Sequence, residues 1–109
     1  MQLYPLKLVT IIAETILREP IVHKVLELGA TGVSYHSCGG TGSRHTRHDV
    51  VLGENVQIKV VCPKEIAEEI LTFVSHNYFE NYACIAWMSD VEVVRGKQFA
   101  KGAPVKGPK

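Results

Sequence analysis

The sequence lacks paired cysteines, an excess of either charge and long apolar runs. Its three cysteines, Cys38, Cys62 and Cys84, form no CxxC pair, which argues against a disulfide framework or a zinc site. A formal net charge of +1 predicts no general attraction to nucleic acid or membranes. The apolar N-terminal run, interrupted by Glu14 and Arg18, has neither a signal-peptide pattern nor the length to span a bilayer. We therefore expect a soluble protein of a reducing cytoplasm.

The composition is that of a folded protein. The chain has 109 residues, of which 46% are hydrophobic and 21% charged, so a globular body is expected rather than a disordered one. This length fits one domain, which we place at residues 1–99. The remainder, 100–109, contains the glycine- and proline-rich sequence KGAPVKGPK and is predicted to be a flexible tail.

Runs of apolar and β-branched residues predict four strands, at Lys7–Ala13, Thr31–Ser37, Val56–Cys62 and Ala83–Val94. Helical spacing predicts one helix from Pro20 to Gly29, with Ile21, Val22, Val25, Leu26 and Leu28 as its apolar residues. A second helix begins at Pro63 and ends somewhere within 76–82, with Ile66, Ala67, Ile70, Leu71 and Val74 on one side.

The order βαββαβ predicts an α+β, ferredoxin-like fold. Its four-stranded sheet is antiparallel and both helices lie on one face. The other face then needs cover, and a neighbouring subunit is the simplest cover, so we expect a homo-oligomer.

A polar, glycine-rich stretch between strands two and three carries the strongest chemical signal. In GGTGSRHTR the glycines Gly39, Gly40 and Gly42 permit positive φ, so that backbone N–H groups can converge on an anion. Arg44 and Arg47 add two guanidinium groups suited to phosphate. The lysine of a Walker A loop is missing, which gives little support to phosphoryl transfer. A hairpin connection with incidental arginines remains the alternative reading.

Other chemistry has weaker support. His36, His45 and His48 crowd the same region, but no carboxylate or thiolate stands beside them at a familiar metal-ligand spacing. Asp49 and Glu54 are the carboxylates of this stretch, and neither has a partner placed for acid–base catalysis. We predict no metal site, no catalytic residue and no catalytic cofactor. His23 and His76 are expected on helices, and Arg95 at the exit of strand four.

Four segments in order, GATGVSY, CGGTGSRHTR, EIAEEIL and NYFENYACI, resemble PII-like signalling proteins over Lys7–Phe99. The likeness is greatest to the PII-like regulators associated with bicarbonate transporters and carboxysome gene clusters. It implies a homotrimer with three intersubunit clefts that bind adenine nucleotides, and a long T-loop at about 39–55.

The resemblance also implies the residues of the nucleotide site. The glycines, Ser43, Arg44 and Arg47 would hold phosphates, Ser34 and the Val61 backbone would lie near adenine, Arg95 would contact a phosphate, and the stretch around Asn81 would close over the nucleotide. The complete predicted set is Ser34, Gly39, Gly40, Thr41, Gly42, Ser43, Arg44, Arg47, Val61, Asn81, Tyr82, Ala83, Ile85 and Arg95.

The implied function is regulation of inorganic-carbon uptake or fixation. ADP or AMP, or else cyclic AMP or ATP, would bind with bicarbonate and set the T-loop conformation. The implied partner is a bicarbonate transporter or a carboxysome-related protein, which would recruit this cytoplasmic chain; neither nucleic acid nor membrane insertion is implied. The stretch 45–55 has no tyrosine for uridylylation, and the tail has no cysteine pair for a redox switch. The alternatives are a weak nucleotide hydrolase and a trimeric metal-binding protein of the copper-tolerance type.

Overall fold

The computed structural model describes residues 1–40 and 55–95. The elements in chain order are β1 Tyr4–Glu14, a 3₁₀ turn Thr15–Leu17, α1 Arg18–Glu27, β2 Ser34–Cys38, β3 Asn55–Cys62, α2 Lys64–Tyr78 and β4 Cys84–Val93. The strands form one sheet in the order β2-β3-β1-β4, and every neighbouring pair is antiparallel. The predicted ferredoxin-like α+β fold is therefore confirmed.

The central strand β1 supplies one layer of the core. Val9 and Ile11 are fully buried, and the register places Val9 opposite Val60 on one side and Met88 on the other. Residues directly opposite in antiparallel strands point to the same face, so this face carries apolar side chains from three strands. Ile21 and Val25 of α1 and Ala67, Ile70 and Val74 of α2 complete the buried cluster. Both helices cover this face, as predicted.

The opposite face of the sheet, here called the open face, carries large apolar side chains without a covering layer among the described residues. Trp87 is 43% exposed and Ile85 is 56% exposed. The register places Trp87 opposite Thr10 and Ile85 opposite Ile12, so these four side chains lie on the face away from the helices. The sequence analysis predicts that a neighbouring subunit covers this apolar surface.

Several boundaries differ from the sequence-based prediction. Helix α1 begins at Arg18, two residues before Pro20, because proline is tolerated anywhere in a first turn that needs no N–H donor. Strand β2 begins at Ser34 and not at Thr31, since Gly32 weakens strand pairing there. Leu26, one of the apolar residues that recur at helical spacing in α1, is 48% exposed, so it is not part of the buried core.

The end of α1 follows the prediction. Gly29 adopts φ +115°, a left-handed conformation that glycine reaches without steric cost, and the chain turns there. Pro63 lies just before α2 with extended backbone and occupies its N-cap position. Within residues 1–40 and 55–95, no helix is long and apolar enough to cross a membrane.

Candidate functional site

One end of the sheet gathers the strand ends that border the T-loop. Cys38, the last residue of β2, lies opposite Asn55, which begins β3, and Asn55 lies opposite Glu14 at the end of β1. Ala13 pairs with Cys84, the first residue of β4. Gly39 and Gly40 therefore lie at the same end as the 79–83 segment, which contains the predicted site residues Asn81, Tyr82 and Ala83. The resemblance implies that these two stretches belong to one site, and the topology brings them to the same end of the sheet.

Local contacts fix the 79–83 segment. The Tyr82 N–H donates to the Tyr78 carbonyl oxygen at 3.0 Å, and the two rings pack edge to face at a centroid distance of 5.7 Å. Tyr78 makes the same kind of contact with Phe73 at 5.6 Å. The Tyr82 ring is thus packed against the helix layer.

A carboxylate that sequence reasoning did not assign to the site also holds this segment. The Ala83 N–H donates to Glu14 Oε2 at 2.7 Å, in a partly buried bond between residues 69 positions apart. The sequence signal for this residue is a lone carboxylate, Glu14, directly after the apolar strand KLVTIIA. Such a residue must lie at the sheet end where β1 stops.

Ser34 on the edge strand β2 and Val61 on β3 are neighbours on the open face, level with the middle of β1. Ser34 lies opposite Lys59, so Val61, two residues further along β3, is its diagonal neighbour at about 7–8 Å. Both residues had been predicted near adenine. Ile85 shares the face but lies on β4, at the opposite edge of the sheet from β2.

Arg95 lies at the other end of the sheet. It is exposed and follows the last residue of β4 by two positions, as predicted for the strand exit. The ten residues of β4 span about 30 Å, so Arg95 is about that far from Ala83 within one chain. A compact site that contains both Gly40 and Arg95 therefore requires two chains.

The remaining predicted residues, Thr41, Gly42, Ser43, Arg44 and Arg47, lie outside the described residues, as do His45, His48 and the tail. Gly39 and Gly40 have no left-handed φ, and among the described glycines only Gly29 has one. The anion nest expected from positive φ is therefore not seen at these two positions.

The three histidines that the structure describes lie on the elements predicted for them. His36 is an exposed residue of β2 on the open face, opposite Gln57, and His23 and His76 lie on the two helices. In the part of the chain that the structure describes, no three side chains of His, Cys, Asp or Glu are grouped to hold a metal ion.

Two titratable groups of β4 have perturbed pKa values. At the start of the strand, burial and then the negative charge of Glu14 raise the pKa of Cys84 to about 11. Towards its other end, the Lys7 ammonium bonds to Asp90 and lowers the pKa of that carboxyl. Of the two groups, Cys84 is the one at the end of the sheet that borders the T-loop.

Comparison with solved structures gives the same architecture. A PII-like signalling protein from Thermus thermophilus is 37% identical, with a TM-score of 0.77 over 91% of this chain and 99% of that one. CPII from Thiomonas intermedia is 23% identical in two further structures. One, with ADP, AMP and acetate, has a TM-score of 0.74 over 93% of this chain and 100% of that one. The other, with ADP and bicarbonate, has a TM-score of 0.76 over 90% and 97%.

The family described as nitrogen regulatory protein P-II matches residues 6–98, from the first part of β1 to beyond the end of β4, a range that includes the predicted site residues. The likeness to the Thermus protein supports the same assignment at the level of sequence. The chain therefore belongs to the P-II family of regulatory proteins.

Proposed function

We propose that this chain is a regulator, without catalytic activity, that binds ADP or AMP in clefts between the subunits of a homotrimer. Membership of the P-II family supports the regulatory role, and the CPII structures with ADP and AMP support the ligand class. The exposed apolar side chains of the open face support assembly, because such a surface is costly to leave in water.

The strongest support for a shared site is the distance between predicted site residues within one chain. Gly40 and Ala83 lie at one end of the sheet, whereas Arg95 lies at the other, about 30 Å away. A nucleotide held by the T-loop base of one chain would therefore receive Arg95 from its neighbour. The distance between the two ends of the sheet thus supports a cleft shared by two chains.

The proposed signal is the conformation of the T-loop. Phosphate oxygens that neutralise Arg44 and Arg47 would favour one loop form over others, and a partner protein would recognise that form. Bicarbonate bound beside the phosphates, as in CPII with ADP and bicarbonate, would add a second input. We propose inorganic-carbon uptake or fixation as the process, with a bicarbonate transporter or carboxysome-related protein as partner to which this cytoplasmic chain is recruited.

Calorimetric titration with ADP, AMP, ATP and cyclic AMP, each with and without bicarbonate, tests the ligand. Arg44→Ala is expected to weaken binding by about 1.5–3 kcal/mol, the range for a charge-assisted hydrogen bond. Lys24→Ala removes a partly exposed cation of α1, in the helix layer, and should leave affinity unchanged. Failure of every adenylate to bind the wild-type protein would refute the proposal.

Mixed oligomers test whether the site is shared. If Arg44 and Arg95 come from different chains, Arg44→Ala and Arg95→Ala subunits mixed in equal amounts recreate an intact pair in about one quarter of the clefts. High-affinity binding should therefore reappear in the mixture although each variant alone lacks it. Absence of that recovery in confirmed mixed trimers would show that the two arginines do not act across one interface.

A further inference from the structure

The 79–83 segment reaches β4 across the end of β1, where the carboxylate of Glu14 accepts a hydrogen bond from the Ala83 N–H at 2.7 Å. The contacts of Tyr82 with Tyr78 tie the segment to its own helix, and Cys84, which follows it, pairs with Ala13 of β1. Glu14 adds a side-chain link from the core strand of the sheet. A bond between an ionised carboxylate and a backbone N–H is about twice as strong as a neutral one.

The same residue borders the base of the T-loop. In the register of β1 and β3, Glu14 lies opposite Asn55, where the chain returns from the T-loop, and Asn55 lies opposite Cys38 of β2. Glu14 thus contacts both stretches of the proposed nucleotide site. Its backbone lies opposite Asn55 at the base of the T-loop, and its side chain bonds to Ala83.

We propose that Glu14 is a positioning residue that holds residues 81–83 in the orientation required for nucleotide binding and couples them to the base of the T-loop. This inference rests on the proposed function for its ligand, but the positioning itself does not. A segment ordered before the ligand arrives loses less conformational entropy on binding, and so binds more tightly.

Cys84 provides an internal reporter of this arrangement. Its thiol is half-buried beside the segment, and the charge of Glu14 contributes to raising its pKa to about 11. Removing that charge should lower the pKa of Cys84, measured from the pH dependence of its alkylation by mass spectrometry. Glutamine and glutamate have nearly the same size, so an effect of packing alone would be the same for both. The pKa of the Cys84 thiol responds to the charge and therefore separates the two.

The test compares Glu14→Ala with Glu14→Gln, which keeps an acceptor oxygen for the Ala83 N–H but removes the charge. Glu69→Ala is the control, since Glu69 is an exposed carboxylate on α2, in the helix layer and outside the proposed nucleotide site. Each variant is titrated with ADP by calorimetry, its melting temperature is measured, and hydrogen–deuterium exchange is followed in the peptide 79–85.

In Glu14→Ala we expect faster exchange in 79–85 and an affinity for ADP at least about tenfold lower, close to the lower limit for loss of a hydrogen bond to a charged group. Glu14→Gln should retain slow exchange and bind ADP within about threefold of wild type, while both variants lower the pKa of Cys84. Unchanged exchange in Glu14→Ala, or unchanged ADP affinity despite faster exchange, would overturn the inference. If the wild-type protein binds no adenylate while Glu14→Ala still loosens the segment, the proposed function fails and the positioning role is supported.

Discussion

Replacement of Trp87 by glutamate should dissociate the oligomer while each subunit stays folded. Trp87 is 43% exposed on the open face, on the side of β4 that points away from the helices and the buried core. A tryptophan side chain presents up to about 250 Å² of surface. The exposed part is then about 110 Å², which is worth about 2.7 kcal/mol when a neighbour covers it, at about 25 cal/mol per Å².

Three copies of Trp87 in a trimer would together contribute about 8 kcal/mol to the free energy of association, and Trp87→Glu removes this contribution. The cost of burying three carboxylates adds to the loss. Because the equilibrium constant of a trimer depends on the square of concentration, about 8 kcal/mol raises the concentration for half-assembly by about 10³, from nanomolar to about micromolar. The cost of burying the carboxylates raises it further, so sedimentation at low micromolar concentration should show mostly monomers. The matched control is Leu26→Glu, because Leu26 is 48% exposed but lies on α1 in the other layer. Its oligomeric state should equal that of the wild type.

Two results would refute this reasoning about the open face. One is a Trp87→Glu protein that remains a trimer at micromolar concentration with an unchanged melting temperature. The other is a Leu26→Glu protein that dissociates equally, which would place the interface on the helix layer. Trp87 is also the single tryptophan of the chain, so dilution of the wild-type protein should shift its emission to the red only when subunits separate.

Gly29→Ala should destabilise the fold by about 1–3 kcal/mol in urea unfolding, because alanine at φ +115° is strained and its Cβ would lie 3.2 Å from Ile66 Cδ1; Gly32→Ala, with open space around its Cβ, should cost far less. Burial raises the pKa of Cys62 and of Cys84 to about 11, so the native state keeps both protons longer than the unfolded chain does. The free energy of unfolding should therefore hold below about pH 9 and decline towards about pH 11, less steeply in Cys84→Ser; an equal decline would contradict this.

The elements could be predicted because each has an unambiguous pattern. The run KLVTIIA is apolar at every position but two, which is typical of an interior strand, and β1 is indeed an interior strand with β3 and β4 as its neighbours. The boundaries were harder to predict. A proline within the first turn is compatible with several starting residues, and so Pro20 did not fix the start of α1 at Arg18.

The site could be predicted only in part, for a topological reason. Composition and motif identified the glycines and arginines after β2, but a sequence does not give the end of the sheet at which a residue lies until the strand order is known. The register shows that Ala83 belongs beside the T-loop base and that Arg95 does not. It also reveals Glu14, whose role depends on a contact 69 positions away and has no local motif.

Ala83 and Arg95 lie at opposite ends of β4, and the two ends have different roles in the proposed regulator. The end near Ala83 is tied to Glu14 and is therefore oriented by its own chain before a ligand binds. In the proposed regulator the end near Arg95 would serve the neighbouring cleft, so its contribution would depend on assembly through the open face. Loss of Trp87 should consequently abolish nucleotide binding along with trimer formation, whereas loss of Glu14 should weaken binding in an intact trimer. A Glu14→Ala protein that binds ADP weakly because it is monomeric would break this distinction between the two ends.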